Sequence, residues 1–246
     1  MKVSILQWNI LYEENIKNII AFLRKNKADI ICLQELSLDS PIQNNIDTPK
    51  YVAQALGYSY YYRRIPVYAS KELKVLANGI FSRFPIASSR SDWIQKPAQR
   101  SSDYSYQHRA YVEVRLKVGK DILDVGTTHT SYTHHFINTA RKRQEARKLI
   151  KLIENKRTKF ILTGDLNSRP NSYTLKSLRK HFKHAGPAYS QKTFTTKYFT
   201  YKGFKETGLN WRLDYVFTTE DVKVLNSKIL KTKYSDHLPI LTTIEI

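Results

Sequence analysis

The stretch Phe160-Ile161-Leu162-Thr163-Gly164-Asp165-Leu166-Asn167 joins an apolar run to a carboxylate and an amide. The apolar run predicts a buried strand over 160–162 that leads to Asp165. Asp165 and Asn167 are two positions apart, so on an extended backbone both side chains can point in the same direction. The small Gly164 would let a ligand approach closely. One polar side chain could then bind a water or a metal ion, while the other contacts a phosphate oxygen without adding negative charge.

Other segments place an imidazole or a carboxylate beside an apolar run in the same way. Asp236 and His237 precede the last predicted strand, and Asp214 begins an earlier one. Asp214 could accept a hydrogen bond from His237 and so fix its tautomer. His129 follows the strand predicted over 125–128 and could donate to a phosphate oxygen. An isolated Asp-His pair usually belongs to a loop, so this interpretation requires these residues to meet in space.

Asn9 and Glu35 stand at the ends of two apolar runs near the N-terminus. Taken alone, Asn9 would be a turn residue at a strand end. A Glu that closes an apolar strand is costly to bury without a partner, and either a salt bridge or a metal ion could supply one. Together with the carboxylates and imidazoles further along the chain, they form a set that suits a divalent metal, an oriented water and a phosphate.

The composition predicts a folded protein with one domain over residues 1–246. The chain has 246 residues, 41% of them hydrophobic, which is enough for a full core. Cys32 is the only cysteine, which excludes an intrachain disulfide and predicts a buried thiol.

We find no signal peptide and no run near the ~18 apolar residues of a membrane span, so we expect a cytoplasmic location. No coiled-coil heptad is visible, and we expect a monomer without a protein partner.

The formal net charge of +20 predicts a polyanionic partner. The charge is uneven, because residues 169–205 contain nine Lys or Arg and no Asp or Glu. The same stretch carries aromatic residues, some of which must belong to the core: Tyr173, Phe182, Tyr189, Phe194, Tyr198, Phe199, Tyr201 and Phe204. Interleaved basic and aromatic side chains suit a phosphodiester backbone with bases stacked beside it. A charge that serves only solubility is the alternative.

The hydrophobic periodicity predicts a mixed chain with more strands than helices. Helices are expected over 13–27, 138–155 and 172–180, with a helical turn over 51–56. Strands are expected over 3–10, 29–33, 58–63, 74–82, 110–118, 121–128, 160–162, 213–218, 222–230 and 238–246. Residues 86–108 and 185–205 are expected to form surface loops. Hairpin-like pairs outnumber βαβ units, so we predict two packed mixed sheets with helices outside.

Seven motifs, taken in order, carry a resemblance to a known family. They are Trp8-Asn9, Leu33-Gln34-Glu35, NGIFSRFPI at 78–86, Thr128-His129, GDLN at 164–167, RLDYVF at 212–217 and SDHLP at 235–239. The ordered set, from about residue 3 to about residue 245, resembles the endonuclease/exonuclease/phosphatase superfamily. The resemblance implies an α/β fold, a deoxyribonuclease-I-like four-layered α/β sandwich of two packed mixed β-sheets flanked by helices. Its site would lie at one edge of the sheets.

The resemblance also implies a magnesium-dependent site, with Mn²⁺ as a substitute for Mg²⁺. Glu35 would be the principal metal ligand, with Asp236 near the metal. Asn9 and Asn167 would orient the phosphate and the metal-bound water. Asp165 would position or deprotonate the attacking water.

The remaining matched residues would handle the phosphate and the substrate. His237, supported by Asp214, would stabilise the phosphoryl group or transfer a proton, and His129 would contact the phosphate. The expected substrate contacts are Asn78, Arg109, Tyr132 and Trp211.

The motifs resemble more than one branch of the family. The segment NWRLDY at 210–215 is similar to AP endonucleases. Those enzymes carry a tyrosine where this chain has His129, and the loop over 130–135 looks more like the deoxyribonuclease and sphingomyelinase branches.

These observations predict a magnesium-dependent phosphodiesterase that works by direct attack of water. The expected substrate is nucleic acid, which makes the protein a nuclease or another DNA- or RNA-processing enzyme. The alternative is a lipid or inositol phosphoesterase, such as a sphingomyelinase or 5-phosphatase, whose basic face lies on an anionic membrane. A non-catalytic nucleic-acid-binding protein should have lost site residues, and none of the expected positions is missing.

Overall fold

Two six-stranded sheets form the frame of the protein, as the computed structural model shows for residues 1–68, 70, 72–156 and 158–246. The strands are β1 Lys2–Asn9, β2 Ile30–Leu38, β3 Ser59–Pro66, β4 Val75–Ser82, β5 Ile86–Gln95, β6 Arg109–Val118, β7 Asp121–His129, β8 Phe160–Asp165, β9 Lys183–His184, β10 Phe199–Tyr201, β11 Phe204–Glu206, β12 Asp214–Thr218, β13 Lys223–Ile229 and β14 Ile240–Glu245. The helices are α1 Ile16–Asn26, α2 Thr48–Leu56, α3 Ala140–Ile153 and α4 Tyr173–Leu178. Short 3₁₀ turns cover Pro41–Gln43, Tyr104–Tyr106 and His134–Phe136.

The first sheet has the order β13-β14-β1-β2-β4-β3, and the second has the order β5-β6-β7-β8-β12-β9. Each sheet contains one parallel pair, β1–β2 or β7–β8, among antiparallel neighbours. Strands β10 and β11 form a separate antiparallel hairpin. The predicted pair of mixed sheets is therefore confirmed.

Alternation along the strands divides the core into layers. In β1, Val3 and Ile5 join the inner core between the sheets, whereas Leu6 and Trp8 face the other side of the strand and pack with α1 and α2. On the second sheet, Leu149 of α3 and Leu175 of α4 pack against the outer face. Helices thus cover the outside of both sheets, which confirms the four-layered sandwich.

The structure corrects several predicted elements. The stretch 86–108 is not all loop, because β5 forms the edge of the second sheet and pairs with β6. Its Ser-rich sequence lacks an apolar alternation, since much of this edge strand is exposed. The predicted turn over 51–56 is the full helix α2, capped by Asp47, whose side chain accepts from the Lys50 amide. The loop expected over 185–205 contains β10.

Candidate active site

The first sheet brings its polar residues to one edge. β1 ends at Asn9, and β14 begins at Ile240, which pairs with Gln7. The segment just before β14 therefore lies against the end of β1. Ser235 Oγ donates to the Asn9 carbonyl at 2.7 Å, and Trp8 Nε1 donates to the His237 carbonyl at 2.9 Å.

The second sheet aligns three functional residues in one row. His129 ends β7 and pairs with Asp165 at the end of β8, and Asp214 at the start of β12 also pairs with Asp165. A Cβ at Gly164 would lie 2.3 Å from the Thr128 carbonyl oxygen. The glycine thus serves the close approach of β8 to β7, which differs from the ligand approach expected from the sequence.

A β-bulge presents Glu35 to this edge. The register between β2 and β4 shifts between Leu33 and Leu36, and Glu35 within the shift has a left-handed backbone with φ 62°. Bulges of this kind bend a strand and redirect a side chain. Glu35 Oε2 also accepts from the Tyr12 amide at 3.4 Å.

Asn9 connects the two sheets. Its Nδ2 donates to Glu35 Oε1 and to Asp165 Oδ2, both at 3.0 Å. Its Oδ1 accepts from the Leu11 amide at 3.2 Å, which agrees with this orientation of the side-chain amide. One side-chain amide therefore binds a carboxylate from each sheet and holds the two carboxylates close together. This is a different role from that of a turn residue at a strand end.

His237 is held by Asp214 as the sequence suggested. Its Nδ1 donates to Asp214 Oδ2 at 2.8 Å, and its Nε2 lies 3.6 Å from Asp165 Oδ2. Burial alone would lower the pKa of His237, but the carboxylates of Asp214, Asp165 and Asp236 outweigh it and raise that pKa well above its usual value. The surrounding carboxylates therefore favour the protonated, cationic form of this imidazole.

His129 differs from His237 in its charge. Burial, with the nearby charges of Arg109 and His237, holds the pKa of His129 well below its usual value. Asn167 Nδ2 lies 3.0 Å from His129 Nε2 and donates to the Thr130 carbonyl at 3.1 Å. A neutral His129 accepts the amide proton at Nε2 and carries its own proton on Nδ1. That Nδ1 lies 4.0 Å from Glu35 Oε1.

Three carboxylates of the site have raised pKa values, and burial is the leading cause in each. The pKa of Glu35 rises to about 7 and that of Asp165 to about 6, with Asp236 and Asp214 respectively adding like-charge repulsion. The pKa of Asp236 is also raised. Buried carboxylates that repel one another are suitable ligands for a divalent cation such as Mg²⁺, because the positive charge of the ion relieves their repulsion. Glu35 and Asp236 fit that role, because like-charge repulsion from Asp236 contributes to the raised pKa of Glu35.

Within the described part of the chain, the one group of three residues with metal-ligand spacing is Asp165, Asp214 and His237, whose ligand atoms lie within 4.8 Å of one another. The short bond between His237 and Asp214 already uses one atom of each residue. This group therefore fits a hydrogen-bonded acid–base pair better than a metal ligand set.

The polar residues line a cleft of about 440 Å³ whose walls are largely aromatic. Aromatic side chains around it are Tyr12, Tyr104, Tyr132, Phe136, Phe194, Tyr198, Phe199 and Tyr201. Arg109 also lines the cleft and is only 8% exposed. Its Nη2 reaches the Tyr104 carbonyl at 3.4 Å, and its buried Nε has no partner in the described part of the chain. Free donors of this kind can bind phosphate oxygens.

The cleft brings together most of the residues expected from the sequence, but not all. Asn78 is buried away from it and donates to the Ala110 carbonyl at 2.9 Å. Trp211 Nε1 donates to Glu206 at 2.6 Å, and its ring packs beneath Arg169 at 4.6 Å. Both side chains have structural partners outside the cleft lining.

Sequence reasoning did not single out Tyr12, Glu13 or Tyr104, which also line the cleft. Tyr12 follows Asn9 by three residues, and this proximity was the only signal available. Tyr104 belongs to the stretch expected to be a loop, and nothing in the sequence indicated its place in the cleft.

Comparison with protein families gives the class to which this fold and site belong. The model of the Endonuclease/Exonuclease/phosphatase family matches residues 6–237, so the chain belongs to this family. Members are hydrolases that act on phosphate esters, and they generally use divalent metal ions. A comparison with curated proteins finds no match.

Solved structures share the fold at low sequence identity. An endonuclease/exonuclease/phosphatase from Beutenbergia cavernae DSM 12333 has a TM-score of 0.79 and 18% identity, over 100% of this chain and 72% of that one. A mannosyl-6-phosphatase from Bacteroides thetaiotaomicron VPI-5482 has a TM-score of 0.70 and 15% identity, over 99% and 100%. The TDP2 of D. rerio, complexed with a single-strand DNA product, has a TM-score of 0.73 and 16% identity, over 100% and 99%.

The helices of the described residues are too short or too polar to cross a membrane.

Proposed function

We propose that the protein is a magnesium-dependent phosphodiesterase that hydrolyses nucleic acid by direct attack of water. The observation that carries the proposal is the convergence of Glu35, Asp165 and His237 in one cleft, joined by the Asn9 amide and by the Asp214 contact. This set provides a metal-binding carboxylate, a base and an acid. It includes no serine or cysteine nucleophile, so the attacking group is a water.

Asp165 and His237 divide the proton transfer. Asp165 is oriented by the Asn9 amide and by the Asn167 backbone amide at 2.9 Å, and its pKa of about 6 lets it accept a proton from water near neutral pH. His237 is protonated and can stabilise a phosphoryl oxygen or donate to the leaving oxygen. Asn167 and neutral His129 provide further contacts to the phosphate.

Glu35 and Asp236 would hold the metal ion. Bound Mg²⁺ would neutralise charge on the phosphodiester and so favour attack by an anionic or polarised nucleophile. Arg109, which also lines the cleft, adds a second cationic contact for the phosphate.

The walls of the cleft favour nucleic acid over other phosphate esters. Tyr104, Tyr132, Tyr198 and Tyr201 line the same cleft as the catalytic residues, and bases stack on exposed aromatic faces. Tyr198 is 62% exposed, as a stacking platform must be. The net charge of +20 also favours a polyanion.

The test is a substrate panel with Mg²⁺ or a chelator. It includes single- and double-stranded DNA, abasic DNA, RNA, a sugar phosphomonoester, and vesicles that contain phosphoinositide or sphingomyelin. We expect magnesium-dependent cleavage of a nucleic acid, with losses of at least about 10²-fold in Glu35→Gln and Asp165→Asn. Asp121→Asn is the control, because Asp121 pairs with Lys159 at 3.6 Å outside the site. Cleavage of only the monoester or the lipids would overturn the proposal, and so would full activity of Glu35→Gln.

A further inference from the structure

The outer face of α3 is strongly basic. Its exposed cations are Arg141, Arg143, Arg147, Lys148 and Lys151. The one carboxylate in this helix, Glu145, is buried and accepts from the Ser131 amide at 3.1 Å. The surface of α3 therefore carries positive charge without an acidic side chain of its own to offset it.

Helix α4 extends this charge. The Tyr173 ring lies near Arg143 and Arg147, whose guanidinium carbons are 5.9 and 5.8 Å from its centroid. Arg147 Nε also donates to the Tyr173 hydroxyl at 3.2 Å, and this bond, with the charges of Arg147 and Lys180, lowers the pKa of Tyr173. Lys176 follows Tyr173 by three positions on the same helix face and is exposed, as is Lys180.

We call the surface made by Arg143, Arg147, Tyr173, Lys176 and Lys180 the α3–α4 stripe. Among the described residues, none of its four cations lies within 4 Å of a carboxylate, since the ion pairs of the protein lie elsewhere. Four exposed positive charges in one area without acidic partners attract anions and are not satisfied by the fold itself.

The stripe is connected to the catalytic cleft through the loop before α3. The Tyr173 backbone amide donates to Oδ1 of Asn138, in the loop before α3, at 3.2 Å. Arg169, which follows the Asp165–Asn167 segment, donates to the His135 carbonyl at 2.6 Å. The neighbour of His135, Phe136, lines the cleft. A strand that leaves the cleft over Phe136 would therefore meet the stripe next.

We propose that the α3–α4 stripe binds the phosphate backbone of a nucleic acid outside the cleft and directs the strand into it. This inference rests on the proposed function of the cleft. Arg143 and Arg147 are about 6 Å apart along the helix axis, so they can contact separate phosphates, and guanidinium groups bind phosphate with two donors. Tyr173 offers an aromatic face between them.

The observations favour nucleic acid over an anionic membrane. Among the described residues, the large exposed hydrophobic side chains are Met1, Tyr60, Ile122, Ile137, Tyr198, Leu209 and Leu225. Only Ile137 is near the stripe in sequence. A membrane-bound surface combines basic residues with a cluster of apolar anchors, and the stripe has no such cluster among these residues.

The test compares two variants that each lose three exposed cations. The stripe variant is Arg143→Gln/Lys176→Gln/Lys180→Gln, and the control is Lys17→Gln/Lys25→Gln/Lys50→Gln on α1 and α2, which cover the other sheet. Arg147 is retained because it bonds to Tyr173. Binding of single-stranded oligonucleotides of about 6 and about 24 nucleotides is measured in chelator over a range of salt concentrations. Hydrolysis of bis(p-nitrophenyl) phosphate with Mg²⁺ reports on the cleft alone.

We expect the stripe variant to bind the longer strand at least about 10-fold more weakly, and its salt slope to fall by about 2, since each lost contact removes about 0.7. The control and the hydrolysis of the small ester should stay within about two-fold of wild type. Equal losses of oligonucleotide binding in the stripe variant and the control variant would overturn the inference. It would also be overturned if the wild-type protein bound phosphatidylserine vesicles through the stripe more tightly than it bound the longer oligonucleotide. If the small ester is not hydrolysed while the stripe variant still loses binding, the proposed function fails and backbone binding by the stripe stands.

Discussion

A single contact, from Asp214 to His237, decides whether the cleft holds a proton donor at neutral pH. Asp214 is fully buried, and its other oxygen accepts from Gln7 Nε2 at 3.2 Å. It therefore stays in place to pair with the imidazole. Without its charge, the largest of the contributions that raise the pKa of His237 would be lost, and that pKa would fall. The acid function of His237 is thus a property of the pair.

Replacement of Asp214 by Asn should lower kcat by about 10²–10⁴-fold, because the proton donor and its orientation are both affected. His237 acts in its protonated form, so activity is lost as the pH rises through its pKa. Loss of the Asp214 charge lowers that pKa, and the alkaline limb of kcat/KM should move to lower pH. The measurement is the pH profile with a small phosphodiester. Asp121→Asn should keep the wild-type limb, and an unshifted limb in Asp214→Asn would contradict the assignment.

At the scale of the elements, the sequence indicates which residues lie at the ends of strands. It does not indicate the direction in which the backbone conformation points their side chains. Strands were predicted over 3–10, 121–128 and 160–162, and the structure ends them at Asn9, His129 and Asp165. The apolar pattern alone therefore placed these three residues at or near strand ends. The left-handed backbone of Glu35 depends on the pairing of β2 with β4, whose residues are about forty positions further along the chain. Long-range pairing leaves no local signal at Glu35. The strand β5 was missed for another reason, because its exposed, Ser-rich sequence has no apolar alternation.

Helix α3 fixes the loop after β7 through a buried ion pair. Lys142 Nζ donates to Thr130 Oγ1 and to the Ser131 carbonyl, both at 2.5 Å, and lies 3.8 Å from Glu145. Thr130 Oγ1 in turn donates to the Leu166 carbonyl at 2.5 Å. The pair thus supports the segments that carry His129 and Asn167, although neither charge reaches the cleft lining.

Replacement of Lys142 by Met should lower the free energy of unfolding by about 3–5 kcal/mol, because Glu145 is left as an uncompensated buried charge. The double variant Lys142→Met/Glu145→Leu should lose less than the sum of the single changes, with a coupling of about 1–3 kcal/mol. Urea unfolding measures all three variants. Lys148→Met, on the exposed face of the same helix, should change stability by no more than about 0.5 kcal/mol. Additive effects would show that the two residues act separately.

At the scale of the whole molecule, polar side chains cross the space between the sheets beneath the site. Gln7 Nε2 donates to Gln34 Oε1 at 2.6 Å, and Gln34 Nε2 donates across to Thr127 Oγ1 at 2.9 Å. Thr163 Oγ1 also bonds to Thr127, at 3.0 Å. The layered core was predictable from apolar alternation, but this network was not, since a buried glutamine looks like a surface residue in sequence. The network sets the separation of the sheets where the cleft residues meet.

This convergence should make the stability of the whole protein depend on pH and metal. The pKa of Glu35 rises from 4.5 to about 7 on folding, and that of Asp165 from 3.8 to about 6. A raised folded pKa contributes stability below the unfolded pKa, and this contribution is lost as the pH rises through the folded value. In chelator, the melting temperature of wild type should therefore fall relative to Glu35→Gln between about pH 4.5 and about pH 7.

Mg²⁺ should raise the melting temperature of wild type most near about pH 8, where the carboxylates are charged, and should have little effect on Glu35→Gln. Parallel curves of melting temperature against pH for the two proteins in chelator would contradict a raised pKa at Glu35. Equal stabilisation of both proteins by Mg²⁺ would mean that the ion binds at another site.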